Sequence, residues 1–332
     1  MSLRIIEVVL PEAKAQELQE ILGGEQIEDV WTLVSPGGEL VSRILVSATH
    51  TEGVTDLLSQ RFGREDGFRV VLLPVEATLP KPEEKEKKEE ATPEKKRLPQ
   101  RISREELYQD LAHGSRITGY YMLTVALSTI VAAVGLVRGD VAIIIGAMVI
   151  APLLGPNVGL SLASTLGEPD LARRSLKAIA VGVALALALS YLVGLFVPVD
   201  PDVPELRART KIGFSDVALA LAAGIAGSLA YTTGLPTALI GVMVAVALLP
   251  PLVAAGLLAG AGYRSLAVGS LTLALTNVTC LNLAGVGTFL ARRVRPRTWW
   301  EAKKASKATR IAVTSWVVML AILALVILFY QA

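Results

Sequence analysis

Residues able to interrupt a membrane helix and hold a polar guest gather in two short stretches of this chain. Pro152, Gly155, Pro156, Asn157 and Gly159 fall in one apolar run, and Pro250 and Pro251 in another. Proline has no N–H and its ring clashes with the preceding turn, so each cluster predicts an interrupted helical ladder. Carbonyls freed in this way are tolerated at membrane depth only against protein or in a wet cavity. The chemistry on offer is non-covalent: carbonyl and amide groups that bind a small solute or ion near the midplane. The plainer alternative is a packing kink, because Pro and Gly are common in membrane helices and G-x-x-x-G spacing favours close contact.

All three asparagines of the chain, Asn157, Asn277 and Asn282, lie in apolar stretches, and Thr276 and Thr279 flank Asn277. Amides in hydrocarbon seek partners, so they either join helices or face a polar path. Ser128, Thr129 and Ser161 are weaker candidates, since a hydroxyl can bond to its own helix. No Asp, Glu, Lys, Arg or His is expected deep within the first six spans, which argues against proton coupling. His50 and His113 fall outside the spans and read as surface residues. Cys280 is the only cysteine, so neither an intrachain disulfide nor a thiolate metal site is available. H-E-x-x-H, G-x-S-x-G and P-loop patterns are missing. The expectation is a protein that is not an enzyme, with no cofactor and no metal.

The two proline clusters are copies. G-A-M-V-I-A-P-L-L-G-P from Gly146 to Pro156 returns 95 positions later as G-V-M-V-A-V-A-L-L-P-P from Gly241 to Pro251, with six of eleven residues matching. Gly139/Gly234 and Ile145/Ile240 keep that offset. Arg174-Ser175-Leu176 matches Arg264-Ser265-Leu266 at an offset of 90, implying a shorter loop in the second copy. Duplicated, proline-interrupted apolar segments point to a transporter-type fold.

The elements that must position these residues follow from hydropathy. The 332 residues are 52% hydrophobic, a membrane-protein profile. Apolar spans are expected at 119–137, 141–163, 177–197, 216–233, 236–260, 265–291 and 311–330, each near the ~20 residues a crossing helix needs. Residues 1–78 read instead as a soluble βαββαβ domain of ferredoxin-like α/β type. Its strands are Leu3–Leu10, Asp29–Val34, Glu39–Ser47 and Phe68–Leu73, and its helices Pro11–Leu22 and Gly53–Phe62, with a hairpin turn at Ser35-Pro36-Gly37-Gly38. A charged, low-complexity linker occupies 79–102. Ser103 to Glu106 makes a capping box that opens an amphipathic interfacial helix over 103–118, carrying Leu107 and Leu111. Residues 119–291 form the membrane domain, and 292–332 add a basic loop with Trp299-Trp300 and the seventh span.

Charge sets the orientation. Residues 1–118 carry 16 Lys/Arg against 22 Asp/Glu, and residues 119–332 carry 16 against 8. With the N-terminal domain cytoplasmic, 14 Lys/Arg lie on inside loops and 5 outside, as the positive-inside rule requires. Span two then runs outward-to-inward and span five the reverse, making spans one to three and four to six an inverted repeat. The C-terminus falls outside. No basic patch remains for a nucleic-acid partner.

The block S-T-I-V-A-A-V-G-L-V-R-G-D-V-A-I-I-I-G-A-M-V-I-A-P-L-L-G-P-N-V-G, Ser128 to Gly159, resembles the prokaryotic "uncharacterised hydrophobic domain" membrane family, domain-of-unknown-function family three-eight-nine. The membrane resemblance covers roughly residues 110–290, and the soluble front looks like an extension found in one branch. The family supplies no agreed activity, so no residue role carries over.

The expected protein is therefore a multi-pass inner-membrane transporter or channel for a small solute or ion, sited between spans two and five. Its partners are the lipid bilayer, the solute and further copies of itself in a homo-oligomer, with a regulatory or oligomerising cytoplasmic domain. The alternative is a membrane-anchored sensor or scaffold whose soluble domain binds a ligand or itself.

Overall fold

The computed structural model describes residues 3–23, 27–35, 38–75, 78, 102–233, 248–296 and 299–331. Its contacts divide the chain into two units, Met1–Glu106 and Leu107–Ala332.

In the first unit β1 (Leu3–Pro11), α1 (Ala15–Leu22), β2 (Asp29–Val34), β3 (Glu39–Ser47), α2 (Thr51–Phe62) and β4 (Arg69–Val75) build a four-stranded antiparallel sheet with two helices. The strand order is β2-β3-β1-β4. Strand alternation sends Ile6, Val8 and Leu10 of β1, with Leu40, Ile44 and Val46 of β3, to one face. Leu18, Leu22, Val54, Leu58 and Phe62 of the helices complete that core. The expected first helix starts later than Pro11, because Pro11 still pairs with Glu39 in the sheet and a 3-10 turn over Glu12–Lys14 follows. Val34 pairs with Leu40, the register a tight hairpin needs, and Pro36 and Gly37 of that turn lie outside the described residues. β2 is an edge strand, exposed along its whole length.

Residues 81–97 of the charged linker lie outside the described residues. Ser103 then precedes α3 (Arg104–Gly114), and only half of the expected capping box forms. Ser103 Oγ accepts from the Glu106 N–H at 3.2 Å, but the Glu106 carboxylate does not reach back. Arg4 takes it with two charge-assisted bonds of 3.2 and 3.1 Å. The Arg104 N–H and guanidinium donate to Glu52 and Asp56 at 2.6 and 2.8 Å. Acid–base pairs, rather than a reciprocal cap, hold the start of α3. Leu107 and Leu111 are fully buried, so the apolar side expected to lie on the membrane surface is covered by protein.

The second unit contains α4 (Gly119–Arg138), α5 (Val141–Ile150), α6 (Leu154–Leu166), α7 (Pro169–Phe196), α8 (Pro204–Arg207), α9 (Phe214–Thr233), α10 (Leu249–Gly260), α11 (Arg264–Ala291) and α12 (Trp299–Gln331). Helices α4, α7, α9, α11 and Ala305–Val326 of α12 are long and apolar enough to cross a membrane. α5 and α6 make a sixth span if joined across their 52° bend. The expected span over 236–260 is described only in its second part, α10. The described residues therefore give five or six candidate spans where seven were expected. α7 begins at Pro169, a residue suited to the first helical position. Arg173, Arg174 and Lys177 consequently sit on its first turns rather than in a loop.

The offset of 95 governs the helices themselves. α4 and α9 start and end 95 residues apart, as do α7 and α11. α6 and α10 begin 95 apart, at Leu154 and Leu249. The match at an offset of 90 is therefore coincidental. Ser175 is the seventh residue of its helix and Ser265 the second, so no shortened loop intervenes.

Packing follows the same register. α6 lies against α11, and α10 against α7. A Cβ on Gly285 of α11 would come within 2.6 Å of Ser161 Oγ on α6, and Gly256 of α10 leaves no room for a Cβ beside Ser190 of α7. Gly194 and Gly260 meet opposing backbone, of Leu257 and Tyr191 respectively, with the same closeness. Small residues here do what membrane helix interfaces need, letting backbones approach without side chains between them.

Candidate functional site

Helix termini explain the prolines. α5 ends at Ile150, Ala151 is extended, and α6 starts at Leu154. Only Pro152 sits in the break. Pro156 is the third residue of α6, where a backbone N–H has no intrahelical partner in any case. Pro250 and Pro251 are the second and third residues of α10. The expectation that each proline interrupts a ladder is thus corrected: Pro156, Pro250 and Pro251 fall in the first turn of a helix, and the described interruption is the break that holds Pro152.

At the first break the amides satisfy one another. Asn157 Nδ2 donates to the Leu153 carbonyl at 2.8 Å, and Asn282 Nδ2 donates to Asn157 Oδ1 at 3.2 Å and to the Val278 carbonyl at 2.9 Å. Ser161 Oγ lies 3.1 Å from Asn282 Oδ1 and 3.2 Å from the Asn157 carbonyl. Asn157, Ser161 and Asn282 are all essentially buried. This joins α6 to α11 by side-chain amides, a favourable arrangement away from water. Ser228 Oγ, also fully buried, has no hydrogen-bond partner among the described residues.

Gly159 permits a close approach, whereas Gly155 makes only ordinary contact. A Cβ on Gly155 would meet the Gly114 carbonyl at 3.5 Å, and one on Gly159 would meet Ser175 Oγ at 2.7 Å and Ser115 Oγ at 2.8 Å. Ser115 and Ser175 hydroxyls are themselves 3.0 Å apart. Ser128 and Thr129 both donate to the Val125 carbonyl, so each hydroxyl is spent on its own helix rather than on the asparagines.

A second polar place lies at the other proline pair. Pro251 and Asn277 line a cavity of about 220 Å³ together with Glu205, Ala208, Arg209, Asp216, Leu219, Ala220 and Leu273. Asn277 is buried. Glu205 and Arg209 stand one turn apart on and just after α8, with Arg209 Nη1 3.4 Å from Glu205 Oε2. Asp216, in the first turn of α9, accepts from the Gly213 N–H at 2.8 Å. Burial pushes the Arg209 guanidinium below its ordinary pKa, and Glu205 offsets this only in part. The sequence reading missed these three ionisable residues because Glu205 and Arg209 precede the expected span 216–233 and Asp216 only begins it. The available signal was the spacing, Glu205 and Arg209 at i,i+4 and Asp216 three residues after Gly213.

The described residues thus put the candidate groups in two places, Asn157 with Asn282 and Ser161 in one, Pro251 with Asn277 in the other. α6 and α10 share no extensive interface among the described residues; each packs instead on the long helices α7 and α11.

Fold and site define a polytopic helical membrane protein whose core helices recur at a fixed interval, preceded by a small antiparallel sheet unit. Residues 148–283 match the family described as a domain of unknown function (DUF389). An uncharacterised protein of Methanocaldococcus jannaschii is 36% identical over 329 residues, covering 98% of this chain and 99% of that one. The chain belongs to this family. No solved structure matches it.

Proposed function

We propose that the chain is a transporter or channel for a small solute or ion, built as an inverted repeat in which α4–α7 and α9–α11 are equivalent halves. The observation that carries this reading is the exchange of partners between halves. Ser161 and Gly256 occupy equivalent positions, as do Ser190 and Gly285, and the contacts are Ser161–Gly285 and Ser190–Gly256. A twofold relation between halves requires such crossed pairs. Direction supports inversion. Contacts advance together along α7 and α10, with Ser190 at Gly256 and Tyr191 at Gly260, so these helices run parallel. The α6–α7 contacts run oppositely, Gly159 meeting Ser175 and Gly182 meeting Leu153. α6 and α10 therefore oppose each other. Inverted halves with polar groups at helix breaks favour alternating access or a pore.

In this reading the site extends from the Asn157–Asn282 cluster to the cavity beside Pro251 and Asn277. The N-terminal unit is ferredoxin-like, its strand order β2-β3-β1-β4 being that of the split βαβ arrangement. It is cytoplasmic and regulates or oligomerises the spans through its free β2 edge, and the chain is no enzyme. The experiment is flux of a mixed panel of labelled cations, anions and neutral solutes into proteoliposomes, with protease protection to orient the N-terminal unit. A folded, reconstituted protein that moves none of them above empty liposomes would reject the reading.

The self-satisfied amides at the first break support a second reading, a membrane-anchored sensor or scaffold. Ligand binding or self-association by the N-terminal unit, without flux, is its signature.

A further inference from the structure

Tyr121 and Asp216 hold equivalent positions near the starts of α4 and α9. In the first half the phenol fills the space beside α7. Its hydroxyl donates to the Ala178 carbonyl at 2.8 Å, and a Cβ on Gly182 would meet that hydroxyl at 2.5 Å. The counterparts of Tyr121, Ala178 and Gly182 are Asp216, Leu273 and Asn277. All three line the 220 Å³ cavity. Helix packing therefore does not demand an opening at this place, since the same framework closes it with a ring in the other half.

The wall of the opening carries Arg209, paired with Glu205, and a second carboxylate, Asp216, and both Arg209 and Asp216 keep polar atoms unengaged among the described residues. The Arg209 side chain is 18% exposed, yet only its Nη1 is engaged, by the Glu205 carbonyl and carboxylate. Among the described residues Nε and Nη2 have no acceptor, and a guanidinium offers five N–H donors. Asp216 commits Oδ2 to Gly213 and leaves Oδ1 without a partner among the described residues. A lone anion entering here would gain Arg209 and be repelled by Glu205 and Asp216; a lone cation would gain Asp216 but leave the unengaged Arg209 donors without an acceptor. A ligand bearing both charges satisfies both groups.

We propose that this cavity binds a small zwitterion of the α-amino acid class, its carboxylate on the Arg209 guanidinium and its ammonium group on Asp216, with Asn277 completing the polar wall. The opening, about 220 Å³, has room for a small amino acid such as glycine or alanine. The buried guanidinium, held below its ordinary pKa by desolvation, gains a carboxylate where water is scarce, and charge-assisted bonds of this kind are the strong ones. The transporter reading says what the binding serves; the binding itself is tested apart from it.

The test is binding of labelled glycine to the full chain in detergent, competed by methylammonium and acetate, with wild type, Arg209→Gln and Asp216→Asn. The amide oxygen that Asp216→Asn introduces can still accept from the Gly213 N–H, and unliganded melting curves check that each variant is folded. Saturable glycine binding is expected, with both variants weakened at least about tenfold, equivalent to about 1.4 kcal/mol, and with poor competition by the one-charge probes. The proposal is overturned if folded wild type binds no glycine, if folded variants bind as wild type does, or if methylammonium or acetate competes as well as glycine. Binding without glycine flux into proteoliposomes upholds the site and counts against transport. Flux of other solutes without glycine binding does the opposite.

Discussion

Ser190 of α7 faces Gly256 of α10 with no space for a β-carbon between them. The equivalent contact in the other half has the residue types exchanged between the two helices, glycine now on the long helix at Gly285 and serine on the short one at Ser161. Each interface thus needs one small partner, and which helix supplies it is interchangeable.

Gly256→Ala is expected to destabilise the membrane unit by about 1–3 kcal/mol through overpacking. Ser190→Gly in the same chain should recover much of that loss. Thermal unfolding in detergent of the two single variants and the double variant measures the coupling between them; additive losses would mean that the two positions do not share the contact.

Asn282→Ala removes the donor to Asn157 Oδ1 and the neighbour of Ser161. The expected cost is about 0.6–1.7 kcal/mol, the range for interhelical hydrogen bonds in membranes. Asn157→Ala combined with Asn282→Ala should cost less than the two losses added together, because either single change already removes the hydrogen bond they share. Equilibrium unfolding in mixed detergent reads this directly.

Tyr121→Phe deletes one hydrogen bond, to the Ala178 carbonyl, while keeping the ring on Gly182. A loss of about 0.5–1.5 kcal/mol is expected. Tyr121→Ala should cost distinctly more by emptying the space. Thermal unfolding of the two variants in detergent checks both.

Glu17 in the N-terminal unit has its carboxyl held below the ordinary pKa, first by the hydrogen bond from Lys14 and also by Arg61. A depressed carboxylate contributes stability above its unfolded-state pKa, and that contribution is lost as pH falls through the folded-state value. Glu17→Gln should therefore lower the protection of α1 amides from hydrogen exchange at neutral pH and leave it unchanged in strong acid. The effect is small, since exposed ion pairs contribute little.

Much of this architecture was legible in the residues. Alternation in Leu3–Leu10 and Glu39–Ser47 marked the two central strands, and the six-in-eleven repeat gave the interval that the helix bounds keep. Local chemistry misled where a partner distant in sequence intervened. Glu106 completes a capping motif on paper but is drawn off by Arg4, about a hundred positions earlier. Arg173, Arg174 and Lys177 read as loop because charges end an apolar window, yet a helix continues through them once Pro169 has started it. Of the candidate site, the pairing of Asn157 with Asn282 was foreseeable as chemistry but not as geometry. The cavity beside Pro251 was hidden because Glu205, Arg209 and Asp216 stand at the margins of hydropathy windows, where charge is taken for topology.

α7 and α11 each run for 28 residues, about 42 Å at ~1.5 Å per residue. α4 and α9, at 20 residues each, come to about 30 Å, the thickness of a typical hydrocarbon core. The long pair must lean or protrude where the short pair stands flush. A thicker bilayer would draw α7 and α11 toward the normal, and a thinner one would tip them further. Because each long helix is keyed by glycine to α10 or α6, their lean would carry those helices with it, making membrane thickness itself a variable to which the core responds.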